Sequence, residues 1–278
     1  MLEVVPFTHG DVTLNVRKGA YHAWDTGILK EVHKEYLWDR MRYPDIHYAC
    51  DVGAHIGAWT RTLKQRAPHA QVIAVEPMAE NALMLAVNCH LVHQVYQYHA
   101  AVQYTDEPRM LLVHRENSGG AVLVSESEAL AYADNPDWTV QPVAQIVTLE
   151  ELTLRHAFPH LDVLKIDCEG GERNVLAECS EDLLRATRVI IGEHHGTIDV
   201  IEQAFMSRLR DLFDVEYIPH PNPNVNDLGM FFAVQREGVF KPLDIADEDV
   251  PDLVIPEPPP KPTRTRKTRT TPARQKRK

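Results

Sequence analysis

Short apolar runs alternate with amphipathic segments between residues 45 and 235 of this 278-residue chain. The apolar runs predict five β-strands, at residues 46–52, 71–76, 95–102, 161–167 and 188–193. Apolar positions at helical spacing predict helices at residues 58–67, 80–90, 172–179 and 199–212. Because strands that alternate with helices form a parallel sheet covered on both faces, the pattern predicts an α/β fold.

Three further segments add to this pattern. Thr148 and Glu151 have the spacing of a capping box, which predicts the start of a short helix. Residues 213–218 and 229–234 are apolar runs that predict a closing pair of strands. Residues 103–147 show no regular period, so we expect an irregular insertion that carries substrate contacts.

These signals predict one domain at residues 1–237, with a lead-in at residues 1–44 and a core at residues 45–235. Residues 238–260 are acidic and then proline-rich, which is typical of a stiff, extended linker. Residues 261–278 contain nine Lys and Arg and no acid, and we expect this basic tail to be disordered.

Charge is divided unevenly between the tail and the rest of the chain. The net charge is −11, but without the tail the chain has 20 basic and 40 acidic residues, a balance of −20. Because binding to phosphates needs Lys and Arg, the acidic body is predicted to be a poor nucleic-acid binder. The tail is predicted to make a weak, salt-sensitive contact with a polyanion.

The sequence also predicts the compartment. No apolar run approaches the roughly 18 residues of a membrane span, and the N-terminus lacks the basic and apolar regions of a signal peptide. Four cysteines form no C-x-x-C pair and are predicted to be reduced thiols: Cys50, Cys89, Cys168 and Cys179. The reducing cytoplasm is therefore the predicted location.

The segment D-V-G-A-H-I-G lies between the first predicted strand and the following helix. Ligands of open α/β sheets bind at the carboxyl ends of the strands, so Asp51, Gly53, His55 and Gly57 are predicted to contact a cofactor. A strand–turn–helix whose glycines serve packing only is the alternative.

Glu76 ends the second predicted strand, where dinucleotide-binding folds place an acid that accepts hydrogen bonds from the ribose hydroxyls. The glycine segment lacks the G-x-G-x-x-G spacing that a pyrophosphate needs, because His55 stands in place of the second glycine. Together these observations favour a nucleoside cofactor without phosphate, S-adenosylmethionine (SAM). Asp51 would then face the ammonium group of SAM or a water molecule.

Ionisable side chains are concentrated after the fourth and fifth predicted strands. They are Lys165, Asp167, Glu169 and Glu172, followed by Glu193, His194 and His195. Because acids buried without partners are costly, this cluster is predicted to face a cleft or to pair internally. A structural ion pair of Lys165 and a solvated loop for the histidines are the alternatives. A metal site of Asp167, Glu169, Glu193 and His194 lacks diagnostic spacing, and no metal is predicted.

Four motifs, D-V-G-A-H-I-G, V-I-A-V-E-P, A-A-V and L-K-I-D-C-E-G-G-E, resemble in this order those of the FkbM family of SAM-dependent methyltransferases. The resemblance covers roughly residues 35–235. It implies the class I methyltransferase fold, a Rossmann-like seven-stranded sheet that is mostly parallel, with an antiparallel last strand and helices on both faces. It also implies methyl transfer by in-line displacement to a hydroxyl of a small-molecule or glycan acceptor, such as a sugar or secondary metabolite.

The same resemblance implies the cofactor contacts. Asp51, Gly53 and Gly57 would contact the methionine end of SAM, Glu76 would bind the ribose, and Ala101 of the A-A-V motif would line the site. His55 departs from the family, which usually has asparagine there, although imidazole also donates and accepts hydrogen bonds.

The resemblance places Lys165, Asp167 and Glu169 at the reaction centre, and Asn88 belongs to the family pattern. A neutral hydroxyl acceptor must lose a proton, for which Asp167 and Glu169 are the candidate bases. His194 or His195 is the next candidate.

Three other functions remain open from the sequence. A nicotinamide oxidoreductase would need the absent G-x-G-x-x-G spacing. A nucleic-acid-associated methyltransferase is favoured only by the basic tail, because N-P-D-W at residues 135–138 lacks a second proline and precedes the fourth strand. A binding protein that uses the tail and carries a degenerate domain is opposed by the intact cofactor acids.

Overall fold

The computed structural model describes residues 3–105 and 107–246. The predicted basic tail at residues 261–278 and most of the predicted linker lie outside the described residues. Among the described residues, no helix combines the length and the apolar character needed to cross a bilayer.

The strands carry a large part of the hydrophobic core. In chain order they are β1 Val4–His9, β2 Val12–Arg17, β3 Tyr48–Val52, β4 Gln71–Glu76, β5 Val95–His99, β6 Ala101–Val102, β7 Arg109–His114, β8 Val122–Ser125, β9 Trp138–Pro142, β10 Ile146–Val147, β11 Leu161–Ile166, β12 Thr187–His195, β13 Phe213–Pro219 and β14 Leu228–Gln235.

The helices connect these strands. They are α1 His22–Glu35, α2 Ala58–Arg66, α3 Ala79–Cys89, α4 Glu126–Leu130, α5 Leu149–Arg155, α6 Glu172–Glu178, α7 Glu181–Arg185, α8 Ile198–Ile201 and α9 Ser207–Leu212. A π-helical turn at Glu202–Met206 joins α8 to α9, so the helix predicted at residues 199–212 is interrupted. The capping box predicted at Thr148 and Glu151 is confirmed at the start of α5.

Seven strands form the central sheet in the order β13-β14-β12-β11-β3-β4-β5. The five strands from β12 to β5 are parallel, and helical crossovers connect β3 to β4, β4 to β5 and β11 to β12. The last strand, β14, lies antiparallel between β12 and β13, which confirms the predicted closing pair. The predicted α/β class and the seven-stranded, mostly parallel sheet are therefore confirmed.

Helices cover both faces of this sheet. The helices α5–α7 and α9 pack on one face through residues such as Leu152, Leu176 and Leu209. The lead-in and α1–α3 pack on the other face, where Leu29 of α1 and Leu63 of α2 are fully buried. Apolar surface is buried on each face, and each Å² removed from water contributes about 25 cal/mol of free energy. This burial stabilises the three-layer arrangement.

Residues 103–147, which were expected to be irregular, form a second sheet. The strands β8, β7 and β9 pair antiparallel in that order, and α4 follows β8. The prediction of an irregular segment is therefore wrong. Its apolar runs are only four to six residues long, and such short runs become strands only through their tertiary pairing.

The chain leaves the central sheet within the predicted third strand. β5 ends at His99, and β6 at Ala101–Val102 pairs instead with β10. This break carries Ala101 to the end of the sheet where ligands bind.

Contacts with the domain extend beyond residue 237, the predicted end of the domain. The backbone N–H groups of Lys241 and Leu243 donate to carbonyls of Arg185 and Pro159. The guanidinium of Arg188 lies 4.0 Å from the ring centroid of Phe240. The start of the linker remains a prediction, but residues up to Leu243 pack on the domain.

Candidate functional site

A cavity of about 600 Å³ opens at the carboxyl ends of the parallel strands. Its size is in the range of about 300–1,000 Å³ that is typical of small-molecule sites. The turn after β3, the ends of β4, β11 and β12, helix α1 and the loop before β8 line it. This is the edge at which the sequence predicts the site.

Gly53 and Gly57 have different roles in the glycine turn. Gly53 lines the cavity at φ +74°, and a Cβ there would lie 1.7 Å from the backbone oxygen of Asp167. Gly57 is the N-cap of α2 at φ +88°, and a Cβ there would meet Leu85 and Cys89 of α3. The turn therefore requires both glycines, but only Gly53 lines the cavity.

Asp51 lies behind the cavity and is fully buried. One carboxylate oxygen accepts a 2.6 Å hydrogen bond from the Thr60 hydroxyl, and the other lies 3.2 Å from Lys165 Nζ. Because Asp51 is absent from the cavity lining, the structure does not place it in direct reach of a ligand. Its contacts hold Lys165 instead.

Lys165 is the penultimate residue of β11, and its ammonium group is turned toward the glycine turn. Nζ donates to the carbonyls of Val52 at 3.2 Å and Gly53 at 2.6 Å. Burial alone would lower the pKa of Lys165, but the charges of Asp51 and Asp167 raise it above its usual value. Lys165 is thus a cation that fixes the turn. It forms a structural ion pair with Asp51, as in the alternative that the sequence left open.

Glu76 ends β4 and lines the cavity, as predicted. Its carboxylate accepts hydrogen bonds from the backbone N–H groups of His55 at 2.8 Å and Met78 at 2.9 Å. Burial raises the pKa of Glu76 to about 7, although these hydrogen bonds favour the ionised form. The group is therefore poised to change protonation near neutral pH.

His55 and Ala101 also line the cavity. His55 has a left-handed backbone at φ +51°, and its Nε2 lies 3.0 Å from Ser118 Oγ. Burial lowers the pKa of His55 to about 4, so its imidazole is neutral at physiological pH. Ala101 contributes only a methyl group and backbone, which suits a flat apolar wall.

A buried network connects the lead-in to Glu76. Arg17 of β2 is paired with Asp25 of α1 at 2.6 Å and donates to Asn81 Oδ1 at 2.8 Å. The Asn81 amide lies 3.4 Å from the Glu76 carboxylate and donates to the Ser118 carbonyl at 2.8 Å. These residues were not predicted, because no local pattern links the lead-in to β4.

Asn88 connects the same lead-in to the glycine turn. Its side chain accepts from Asn15 N and donates to the carbonyls of Asn15 and Ile56. Asn88 is absent from the cavity lining, so its contacts are structural.

Asp167 lies at the centre of the acidic half of the cavity. It accepts a 2.6 Å hydrogen bond from the hydroxyl of Tyr36, just after α1, and lies 3.8 Å from Lys165 Nζ. Burial and the adjacent Asp167 raise the pKa of Tyr36 well above its usual value, so Tyr36 stays a donor. Glu169 follows at φ +54° and contacts His195, with 3.3 Å between its Oε2 and Nε2.

His194 points away from the cavity, contrary to its predicted catalytic role. It is fully buried, with Nδ1 3.1 Å from the carbonyl of Gly196 and its ring against Tyr217. Successive side chains of a strand face opposite sides. Because β12 continues to His195, Glu193 and His195 share the site face and His194 takes the other.

The acids around Asp167 influence one another. Burial and the neighbouring Asp167 raise the pKa of Glu193 to about 8 and that of Glu31 to about 7. Burial alone would lower the pKa of His195, but hydrogen bonds to Glu169 and Glu172 raise it to about 11. Among the described residues that line the cavity, acidic side chains outnumber Lys and Arg side chains.

Comparisons with known proteins identify the family. The family model described as methyltransferase FkbM domain matches residues 51–219, more than half of the chain. Among curated proteins, Methyltransferase sdnD of Sordaria araneosa is 24% identical over 189 residues, which cover 60% of this chain and 73% of sdnD.

Two similar solved structures are also named methyltransferases. Methyltransferase FkbM from Methylobacillus flagellatus KT is 12% identical, with a TM-score of 0.38, and the match covers 77% of this chain and 52% of that chain. The precorrin-6y C5,15-methyltransferase from Geobacter metallireducens GS-15 is 12% identical, with a TM-score of 0.42, over 76% of this chain and 89% of that chain.

Proposed function

The chain belongs to the methyltransferase FkbM family, and from this premise we propose that it transfers a methyl group from SAM to a hydroxyl of a sugar, glycan or secondary metabolite. The observation that carries the proposal is a single cavity in which Glu76 and the acids after β11 lie on either side of Gly53. The cofactor acid and the candidate bases thus line one space.

The cavity fits a positively charged cofactor without phosphate. Among the described residues that line it, Lys165 is the only Lys or Arg, and its Nζ is turned to backbone carbonyls. A pyrophosphate would find no free cation there, whereas a sulfonium and an ammonium group find carboxylates. The acidic lining also favours cationic SAM over its neutral product, which opposes product inhibition.

We assign SAM binding to Gly53, His55, Glu76 and Ala101. Gly53 lets the backbone approach the ligand without a side chain, and Glu76 offers its carboxylate to the ribose hydroxyls. When bound, SAM supplies an electrophilic methyl group on a sulfonium. Asp51 acts indirectly, because it holds Lys165 and through Lys165 the backbone of the turn.

The acids at the ends of β11 and β12 would take the proton from the acceptor hydroxyl. Asp167 accepts a hydrogen bond from Tyr36 and lies beside Lys165, and both contacts fix the position of its carboxylate. Asp167, Glu169 and Glu193 lie where a hydroxyl that loses its proton would need a base. Since the pKa of Glu193 is raised to about 8 by burial, its basicity is matched to neutral pH.

Charge-removing variants test the role of these acids. Asp167→Asn and Glu169→Gln keep the shape of the side chains, and each is expected to lower turnover by about 10²-fold if it acts as the base. Turnover is measured as methyl transfer from labelled SAM to the acceptor. Wild-type rates in both variants would exclude these acids from the chemistry.

The acceptor is found by incubating extracts of the source cell with isotope-labelled SAM and the purified protein. Mass spectrometry of the labelled product should show a methyl group on oxygen. A product methylated on nitrogen or carbon would refute the hydroxyl acceptor, and absence of any labelled product would count against the transferase.

Affinity for SAM is expected to fall as the pH drops below about 7. The ribose hydroxyls bind ionised Glu76, but burial raises the pKa of this group in the free protein to about 7. Below that pH a proton must leave before SAM binds, so Kd should rise up to about tenfold per pH unit. Calorimetric titrations on both sides of pH 7 measure the change.

Glu76→Gln is the matched variant, because it has the same shape and does not titrate. It should weaken SAM binding by about 1.5–3 kcal/mol above pH 7 and remove this pH dependence. A folded variant that binds SAM as tightly as the wild type would rule out the placement of the ribose at Glu76.

A further inference from the structure

Three potential metal ligands converge at the ends of β11 and β12. One oxygen each of Asp167 and Glu193 and one ring nitrogen of His195 lie within 4.8 Å of one another. Two carboxylates and an imidazole on neighbouring strands form a mixed oxygen and nitrogen set that suits a divalent metal ion.

A buried acid fixes the orientation of His195. Glu172 is fully buried, accepts a 2.9 Å hydrogen bond from the His195 backbone N–H and lies 3.2 Å from Nδ1. This contact directs Nε2 toward Glu169 and Glu193, at 3.3 and 3.7 Å. A carboxylate on the far nitrogen is the usual outer partner of a metal-binding histidine, because it sets the tautomer and the ring orientation.

Charge in this part of the cavity is unbalanced without a further cation. Four carboxylates lie here, those of Glu31, Asp167, Glu169 and Glu193, and a fifth cavity acid, Glu35, is paired with Lys34 at 3.5 Å. Among the described residues the cations that pair with these four are Lys165 and His195. Lys165 is taken up by Asp51 and two backbone carbonyls. Partly buried carboxylates without partners are costly, and a divalent cation removes that cost.

We propose that Asp167, Glu193 and His195 bind a divalent cation of the Mn²⁺ type beside the methyl-transfer centre. The inference rests on the proposed function for the role of the ion, not for its binding. The cation would bind the acceptor hydroxyl and lower its pKa. The hydroxyl proton then passes to Glu169, the oxygen forms a bond to the methyl carbon, and the carbon–sulfur bond breaks to leave a neutral thioether.

Direct metal titration tests the proposal without any acceptor. The purified full-length protein, stripped with EDTA and dialysed, is titrated with Mn²⁺, and free Mn²⁺ is followed by electron paramagnetic resonance. We expect a single saturable site. His195→Gln and Glu193→Gln are each expected to weaken binding at least tenfold. Two control variants test the selectivity: His220→Gln removes a histidine that lines the cavity, and Glu35→Gln removes a cavity acid that is paired with Lys34. Both should bind Mn²⁺ as the wild type does.

Each result decides the question. A wild-type protein that leaves Mn²⁺ free, or a folded Glu193→Gln variant that binds as tightly as the wild type, overturns the site. Circular dichroism checks the fold of each variant. If His195→Gln does not fold, the Glu193→Gln variant alone decides the test. Calorimetry of SAM binding in EDTA separates the metal site from the proposed function. A protein that binds SAM but not Mn²⁺ refutes only the metal site. A protein that does not bind SAM refutes the proposed function.

Discussion

Replacing Asp25 with alanine is expected to lower the free energy of unfolding by about 3–5 kcal/mol. Asp25 is fully buried in α1 and accepts hydrogen bonds from Arg17 through its backbone N–H at 2.8 Å, Nε at 2.9 Å and Nη2 at 2.6 Å. Arg17 is only 2% exposed. Without the carboxylate, its guanidinium would stay buried with no opposite charge. Equilibrium unfolding in urea measures the loss.

Two comparisons make this result specific. Glu3→Ala removes one partner of an exposed ion pair with Lys18 in the same lead-in, and should leave stability nearly unchanged. A double variant, Arg17→Met with Asp25→Leu, removes both charges and should recover most of the lost stability, because a buried pair is replaceable by apolar groups. A loss below about 1 kcal/mol in Asp25→Ala would contradict the buried pair.

The sequence predicted the place of the site because of one topological rule. The carboxyl ends of parallel strands meet at one edge of the sheet, so residues that follow separate strands are brought together. Gly53, Glu76, Asp167 and Glu169 follow three different strands and line one cavity. Their sequence positions were sufficient to predict this without any knowledge of packing.

Contacts with the lead-in were not predictable in this way. Tyr36 and Asp167 are 131 residues apart, and Arg17 and Asn81 are 64 apart. No periodicity or motif encodes such a pair, since each side chain alone is compatible with a surface position. The buried placement of Arg17 is visible only once β2 and α1 pack against α3.

The sequence predicted His194 at the site, whereas in the structure it is His195 that faces the site, and the reason for this difference is the length of β12. The apolar run predicts that the fifth strand ends at residue 193, which leaves both histidines in a loop. Pairing with β14 extends β12 to His195, and strand alternation then fixes each side chain. Ile190 packs in one core cluster and Ile191 in the other, so odd-numbered residues face the site. Extending that alternation by two residues would have predicted His195.

Gly53→Ala is expected to lower the free energy of unfolding by about 3–5 kcal/mol and to abolish detectable SAM binding. The left-handed backbone at φ +74° costs a residue with a Cβ about 1–2 kcal/mol. The new methyl group would also lie 1.7 Å from the carbonyl oxygen of Asp167. That oxygen belongs to the backbone after β11 and moves only together with the strand end, so Asp167 and Lys165 would be displaced as well.

Gly19→Ala separates the cost of the left-handed backbone from the cost of the clash with Asp167. Gly19 has a similar φ of +86°, but a Cβ there would meet nothing within 4 Å. Its variant should therefore lose only the backbone cost of about 1–2 kcal/mol and bind SAM as the wild type does. Thermal and urea unfolding of both variants, with calorimetry of SAM binding, give the comparison. If Gly53→Ala were no less stable than Gly19→Ala and still bound SAM, the close approach of the glycine turn to the end of β11 would not exist, and the assignment of this turn to the cofactor would have to be abandoned.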